Sequence, residues 1–419
     1  MKKIIIAVFL LFSIIAEAKD LKFNFEGQVR IRYEIKNDYY AKETQKPTED
    51  YFLIRTRLGF NLKGKNWGIY LMGQQAEDMN GRELNLNMQP VEQDFDMDFQ
   101  QLYFYLEKPA NLPISIWIGR REVIYDREAL IGTSIGWGNY VRSYDGGMIS
   151  LDLPILKLDC FYMQNRKPDK EDLDDWFNNP HFFGYWFTYK NFSLFKIDQY
   201  FLVKDIKHSK DIVYTLGLRF YQKEAKLYDF DISSVYQFGN ATENGNRTHR
   251  SAFAIHAELG YKLKKQRIGI EYNYASGDDD PGSGHYSTFD KLYGCDHGKY
   301  GLMDFFTWKN MHELQFNYNI SPKKEIKLRT MIHCFWLATS KDAWYDFTGK
   351  VIRKATIGQD ISNYVGTEWD FLYVHKLNKY FKLLAFYGHF FAGDYIRDTA
   401  TSKKAKDADY GYLELRFNW

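Results

Sequence analysis

Residues 266–318 read QRIGIEYNYASGDDDPGSGHYSTFDKLYGCDHGKYGLMDFFTWKNMHELQFNY. The run opens with Ile268, Ile270, Tyr272 and Tyr274 on alternate positions. It closes with Leu314, Phe316 and Tyr318, continued by Ile320. Period 2 of this kind marks a strand with one apolar and one polar face. Between the two strands lies an unpatterned stretch that begins Ala275-Ser276-Gly277 and runs through Asp278, Asp279 and Asp280 to Asp290, His297 and Asp304. So long a connection between two strands is uncommon in a compact soluble domain. The rest of the chain has to supply an architecture in which it is routine.

The alternation recurs from Leu21 to Trp419. Phe23, Phe25, Val29, Ile31, Tyr33 and Ile35 share one parity; Asn24, Glu26, Gln28, Arg30, Arg32 and Glu34 share the other. Phe52, Ile54, Thr56, Leu58 and Phe60 alternate with Arg55, Arg57 and Asn61 in the same way. The first of these runs is longer than the five or six residues usual in soluble sheets. Short polar turns such as Lys63-Gly64-Lys65-Asn66 and Lys264-Lys265 alternate with long loops at about 122–146, 165–181, 239–250, 276–310, 339–364 and 392–408. About 18 strands result, an even number, with one tight rim and one looped rim. That is the pattern of an antiparallel, up-and-down transmembrane β-barrel with short periplasmic turns and long extracellular loops. A propeller would show shorter strands and a repeat of about 40 residues, which this chain lacks. Aromatic residues near strand ends, among them Trp67, Tyr70, Trp117, Tyr189, Trp308 and Tyr318, are expected at the two interfacial girdles.

The N-terminus agrees. Lys2 and Lys3 precede an apolar run from Ile4 to Ile15, and Ala16-Glu17-Ala18 follows. This reads as a signal peptide, residues 1–18, for Sec-type export with cleavage near Ala18; the run is too short for a spanning helix. Residues 19–419 then form one barrel domain in the cell outer membrane. Its strand Leu413, Leu415, Phe417 and Trp419 ends on an aromatic residue, which suggests recognition by the outer-membrane insertion machinery.

Composition narrows the partners. The chain has 33 Tyr and 33 Phe but a polar mean hydropathy of −0.50. A greasy outer wall around a wet lumen averages out in this way. Loss of Lys2, Lys3 and Glu17 takes the formal charge from +2 to near +1, without the basic stripe expected for nucleic acid. Cys160, Cys295 and Cys334 are widely spaced and odd in number, so no disulfide framework or metal knuckle is expected. No Gly-x-Ser-x-Gly, His-Glu-x-x-His or P-loop is present, so neither catalysis nor a cofactor is expected.

Candidate site residues come from the polar parity. Arg30, Arg32, Arg55 and Arg57 fall inward on consecutive strands. Arg121 shares parity with Trp117, and Arg120 needs a bulge to point inward. Guanidinium forks suit carboxylates, and a ring of them favours anions. The structural alternative is that they brace the wall against Glu26, Glu34, Asp94, Asp98 and Glu107. The acids Asp278, Asp279, Asp280, Asp290 and Asp304, with His297, form a loop that plugs or gates the pore. Their spacing is not that of an EF-hand, so a solvated acidic surface is expected there rather than a metal site.

Several stretches resemble one family. Ala275-Ser276-Gly277-Asp278, Thr288-Phe289, Leu292-Tyr293, His297-Gly298, Gly301, Met303-Asp304 and Asn310 resemble the long loop of the alginate-export family of outer-membrane proteins. So do Gly119-Arg120 with Ile131-Gly132, Trp137, Asn139 and Arg142-Ser143-Tyr144-Asp145-Gly146, and later Asp342-Ala343-Trp344-Tyr345, Gly366-Thr367-Glu368 with Asp370, and Phe390-Phe391-Ala392-Gly393-Asp394-Tyr395. The resemblance implies an 18-stranded barrel with an arginine-rich pore for a polyuronate, and makes Arg120 and Arg142 candidate pore residues. Arg121, Ala129 and Gly294 depart from the family pattern. The expected function is a channel, a monomer in outer-membrane lipid, passing anionic solutes or an anionic polysaccharide by diffusion. The alternatives are a hydrolase acting on lipid or polysaccharide, or an adhesive surface barrel.

Overall fold

A computed structural model describes residues 21–39, 48–79, 95–166, 180–206, 209–222, 227–243, 245–356, 360–400 and 406–419. The signal segment 1–18 and Asp94 lie outside them. Eighteen long strands stand among the described residues: β1 (Lys22–Asn37), β2 (Thr48–Lys63), β3 (Trp67–Asp78), β4 (Phe95–Glu107), β5 (Ile114–Arg121), β6 (Tyr144–Asp152), β7 (Leu156–Asn165), β8 (His181–Tyr189), β9 (Lys196–Ile206), β10 (Asp211–Gln222), β11 (Tyr228–Glu243), β12 (Asn246–Leu263), β13 (Gln266–Ala275), β14 (Met311–Lys323), β15 (Ile326–Trp336), β16 (Tyr364–Lys376), β17 (Phe381–Ala392) and β18 (Ala408–Asn418).

Each strand pairs antiparallel with its sequence neighbours, and β1 pairs with β18 from Gln28↔Asn418 to Asn37↔Asp409. The seam is completed by Gly27 and Trp419, which exchange backbone hydrogen bonds of 3.2 and 3.1 Å. Closure is what lipid demands, because an open edge there leaves N–H and C=O groups unpaired at several kcal/mol each.

Alternation sorts the two faces. On β13, Ile268 and Ile270 are 60% and 43% exposed on the outer wall, whereas Glu271 and Asn273 are 7% and 0% exposed inside. The inside is therefore packed, and what packs it is loop.

Two expectations are corrected. The 239–250 stretch is not a long loop: β11 and β12 stay paired out to Glu243↔Asn246. Asn240, Thr242, Asn246 and Thr248 extend the two strands in polar residues, without the apolar alternation that lipid imposes. Trp117 and Trp308 are not girdle residues. Both are buried, at 5% and 1% exposure, in the core inside the barrel.

Lipid contact at Ile270 makes a prediction. Ile270→Lys places a charge on the outer face and should cost about 2–4 kcal/mol near the bilayer midplane. Denaturant unfolding of the barrel in liposomes measures it; a loss well below 1 kcal/mol would mean that this face does not meet lipid.

Candidate functional site in the barrel lumen

The strand register builds a row of cations on the inner wall. Lys376 pairs with Lys382, Lys382 with Arg416, Arg416 with Arg30, and Arg30 with Arg55. Five neighbouring strands, β16, β17, β18, β1 and β2, thus carry positive side chains in one continuous cross-strand row. Like charges directly across a strand pair are destabilising, so this row needs compensation.

Part of it is ionic. Glu414 lies 3.8 Å from Arg30 and 3.5 Å from Arg32, and Arg32 also pairs with Glu34 at 2.7 Å. The rest comes from backbone carbonyls of one loop. Arg30 donates to Trp137 O at 2.8 Å and to Gly138 O at 2.9 Å. Arg55 donates to Gly138 O at 2.7 Å, Arg32 to Trp137 O at 2.9 Å, and Arg416 to Gly136 O at 2.6 Å. The 122–143 loop therefore lies inside the barrel, its 136–138 turn against the row. Carbonyls satisfy the guanidinium protons but cancel no net charge.

The other arginines divide. Arg57 pairs with Glu122 and helps to hold the same loop. Arg142 donates to the carbonyls of Gly132 and Tyr293, tying that loop to the 276–310 loop. The register around Gly119 carries no bulge, so Arg120 keeps the parity of Ile116 and Ile118. It clamps Asp145 at 2.7 and 2.9 Å and donates to Phe99 O. Arg121 lies over the rings of Tyr103 and Trp117, 4.8 and 5.6 Å from their centroids. Neither joins the row. Of the acids expected to brace arginines, Glu26 accepts from Tyr70 instead, and Glu107 pairs with Lys63.

The 276–310 loop also folds inward. Phe289, Met303, Phe305, Phe306 and Trp308 are all buried. Its docking points reach several parts of the wall. Asp290 pairs with Lys204 of β9 at 2.9 Å, and its backbone N–H donates to Gln237 of β11 at 2.8 Å. The amides of Leu302 and Met303 donate to Asp370 and Glu368 of β16 at 3.0 and 2.9 Å. The Tyr39 hydroxyl donates to Met303 O. Gly301, with φ +84°, lies so close to Glu368 that a Cβ would sit 2.4 Å from its carboxylate.

The two loops lock together through an aromatic sandwich. The Trp137 ring stacks on His297 with centroids 3.7 Å apart and 4° between planes, and the Arg32 guanidinium sits 3.8 Å from the same ring centroid. Two groups so close to one centroid must occupy opposite faces. His297 is in turn bonded to Asp304 at 2.8 Å.

The acidic run divides. Asp278 is buried, its amide donating to Asp342. Asp279 and Asp280 are exposed on the tip beside the β11–β12 hairpin, where His285 pairs with His249.

These features bear on relationship. The family model described as alginate export matches residues 21–408. This chain belongs to the alginate export family. No curated protein matches it. Solved structures share the barrel. Acinetobacter baumannii OccAB1 is 11% identical with a TM-score of 0.65, over 96% of this chain and 97% of that one. Pseudomonas aeruginosa OccK2 (OpdF) in complex with glucuronate is 11% identical with a TM-score of 0.63, over 96% and 98%. P. aeruginosa OccK11 (OpdR) is 13% identical with a TM-score of 0.59, over 94% and 95%. The chain is thus an outer-membrane β-barrel channel of this family, and its relatives by fold are porins.

Between the loops and the wall lies a cavity of about 400 Å³. Arg127, Lys299, Arg329 and Arg416 line it against Asp126, Glu128, Glu258 and Glu271, and Cys295 faces it. Burial pushes the Cys295 thiol up to about 11 and lowers the Lys299 ammonium. Burial alone would raise the Asp290 carboxyl; Lys204 and Arg250 outweigh it and hold the group below the usual carboxylate range.

Lys376, Lys382, Arg416 and Trp137 escaped the sequence reading as site residues. The three cations lie on the polar parity of strands already located at 365–376, 380–391 and 409–419, so parity alone could have found them. Trp137 carried only the family resemblance.

Two expectations follow from the docking geometry. An aromatic stack is worth about 0.5–1.5 kcal/mol and a cation–π contact about 0.5–2 kcal/mol. Trp137→Ala should therefore raise the undocked loop population roughly tenfold, read as faster alkylation of Cys295 by a thiol reagent; an unchanged rate would mean that Trp137 does not hold the loops. Asp290 has its pKa lowered on docking, so its contribution is present above the free value of about 3.9 and is lost as pH falls below it. Pepsin cleavage within 276–310 should rise below about pH 4, and Asp290→Asn should flatten that rise.

Proposed function

We propose that this channel prefers anions and passes uronate-type solutes by passive diffusion, through a lumen narrowed by its 122–143 and 276–310 loops. The observation that carries the reading is the row Lys376, Lys382, Arg416, Arg30 and Arg55. Lys376 and Lys382 form no ion pair among the described residues. Fixed positive charge of this kind favours anion entry.

The arginines add a mechanism. A guanidinium bond to a carboxylate is roughly twice as strong as one between neutral groups. A carboxylate arriving at Arg30, Arg55 or Arg416 competes with the carbonyls of 136–138 and replaces them with a charged partner. Binding and local loosening of the 122–143 loop are then one event. OccK2, a barrel of similar fold, was solved with glucuronate, which supports a uronate as the class to try first.

The remaining candidates take supporting roles in this reading. Arg32, Arg57 and Arg142 hold the loops, as Asp278, Asp290, His297 and Asp304 do for the plug. Arg120 and Arg121 brace the wall, and Asp279 and Asp280 form rim surface. Export by the 1–18 signal and insertion through the Trp419 strand belong to the same reading, as does a monomeric channel.

The test is conductance in a planar bilayer under a salt gradient. The reversal potential should show anions favoured, glucuronate should reduce chloride current, and Lys376→Glu with Lys382→Glu should lower the anion-to-cation permeability ratio several-fold. A reversal potential that ignores the double substitution would sink the row as the source of selectivity.

A further inference from the structure

Beneath the plug, β14, β15 and β16 bring four ionisable side chains together with no exposure at all: Glu313, His333, Glu368 and Asp370. Three carboxylates here share one imidazole. No lysine or arginine forms an ion pair with any of them among the described residues. Burying unpaired carboxylates is costly, so the group needs a further cation or protons.

The atoms point to where it would sit. Glu368 Oε2 and Asp370 Oδ1 are buried without a hydrogen-bond partner, and His333 Nε2, also without one, lies 3.4 Å from Asp370 Oδ2. One ligand atom from each of His333, Glu368 and Asp370 lies within 4.8 Å of the others. Three atoms so placed share a point no more than about 2.8 Å from each, near the reach of metal–oxygen and metal–nitrogen bonds. The other oxygens are engaged: Glu368 Oε1 accepts from Met303 N–H, and Asp370 Oδ2 accepts from Leu302 N–H. His333 Nδ1 is bonded to Glu313 Oε1 at 2.6 Å. A carboxylate on the far ring nitrogen fixes the tautomer and aims Nε2 at a metal.

The same barrel holds a comparison. Asp231, His256 and Glu258 form the other such constellation among the described residues. There a cation is already in place: Arg127 reaches Asp231 at 3.0 Å, Glu258 at 2.9 Å and His256 Nε2 at 2.9 Å. Among the described residues no lysine or arginine plays that part at His333.

We propose that His333 Nε2, Glu368 and Asp370 bind a divalent transition metal, zinc by preference, which pins the 276–310 loop to β16. The mixed donor set argues for zinc, which takes imidazole nitrogen with carboxylate oxygen, usually four-coordinate. Calcium prefers oxygen alone. A water would complete the set. Because the two carboxylates also hold Leu302 and Met303, the ion would fix the groups that tie the plug to the wall.

The experiment measures metal on the full-length barrel in detergent, stripped with a chelator, returned to zinc and desalted. Elemental analysis should find about one tightly held zinc per chain. Glu368→Gln with Asp370→Asn should lose it, with folding checked by heat-modifiable mobility. His285→Ala, at the exposed His249–His285 pair, should keep it. Wild type that binds no zinc overturns the proposal and leaves a proton shared by the two carboxylates as the way the site is balanced. Zinc that survives the double substitution, or leaves with His285→Ala, overturns it too. Should the double variant not fold, zinc-edge absorption on the wild type decides: one imidazole in a nitrogen and oxygen shell supports the site, and any other shell refutes it. No transport assay enters, so the result is independent of the anion reading.

Discussion

A backbone amide in hydrocarbon has no water to bond, and everything in this barrel follows from where its amides and carbonyls find partners. The wall solves the problem by closing β1 on β18. The strands can then afford a fully polar inner parity. That parity meets loops which carry their own backbone into the lumen and must be satisfied in turn. The inner wall does so by sign. Guanidinium groups of β18, β1 and β2 take the carbonyls of residues 136–138. Carboxylates of β16 take the amides of Leu302 and Met303. At these two contacts the first loop is held by its acceptors and the second by its donors.

In the proposed channel this sorting would set how each loop responds to a solute. An anion would compete where carbonyls face cations, as at the 136–138 turn. It has nothing to offer the amides that Glu368 and Asp370 already hold. The two loops are nonetheless coupled, because Trp137 of one stacks on His297 of the other and Arg142 bridges to Tyr293. Their backbones are joined as well: Gly132 N–H donates to Tyr293 O, Tyr293 N–H to Leu130 O and Cys295 N–H to Glu128 O.

The barrel was legible in sequence because lipid enforces strict alternation, as in Ile268, Ile270 and Tyr272 against Glu271 and Asn273. Legibility stopped where the enforcing solvent stopped. Above the membrane, Asn240 to Glu243 and Asn246 to Thr248 continue as strand with no apolar run to betray them. Inside the barrel, Trp308 looks like a girdle residue because aromatic character alone does not say which face it meets. The inward arginines of β1 and β2 were visible by parity. Their partners were not, since backbone carbonyls carry no sequence signature. Arg120 shows the limit from the other side: it has a family motif around it, yet an unbroken register keeps it out of the row.

The two histidine–carboxylate constellations show how the same residue types reach different ends. Asp231, His256 and Glu258 lie within reach of the 122–143 loop, and Arg127 fills the space between them. His333, Glu368 and Asp370 lie under the 276–310 loop, whose nearest part is Gly301-Leu302-Met303 and carries no cation. Gly301 cannot be otherwise: its positive φ disfavours a side chain, and a Cβ would strike Glu368. A loop that must approach so closely cannot bring an arginine with it. Charge balance at the second constellation therefore falls to something smaller than a side chain, a metal ion or protons, and Glu313 on Nδ1, which leaves Nε2 turned toward Asp370, favours the ion.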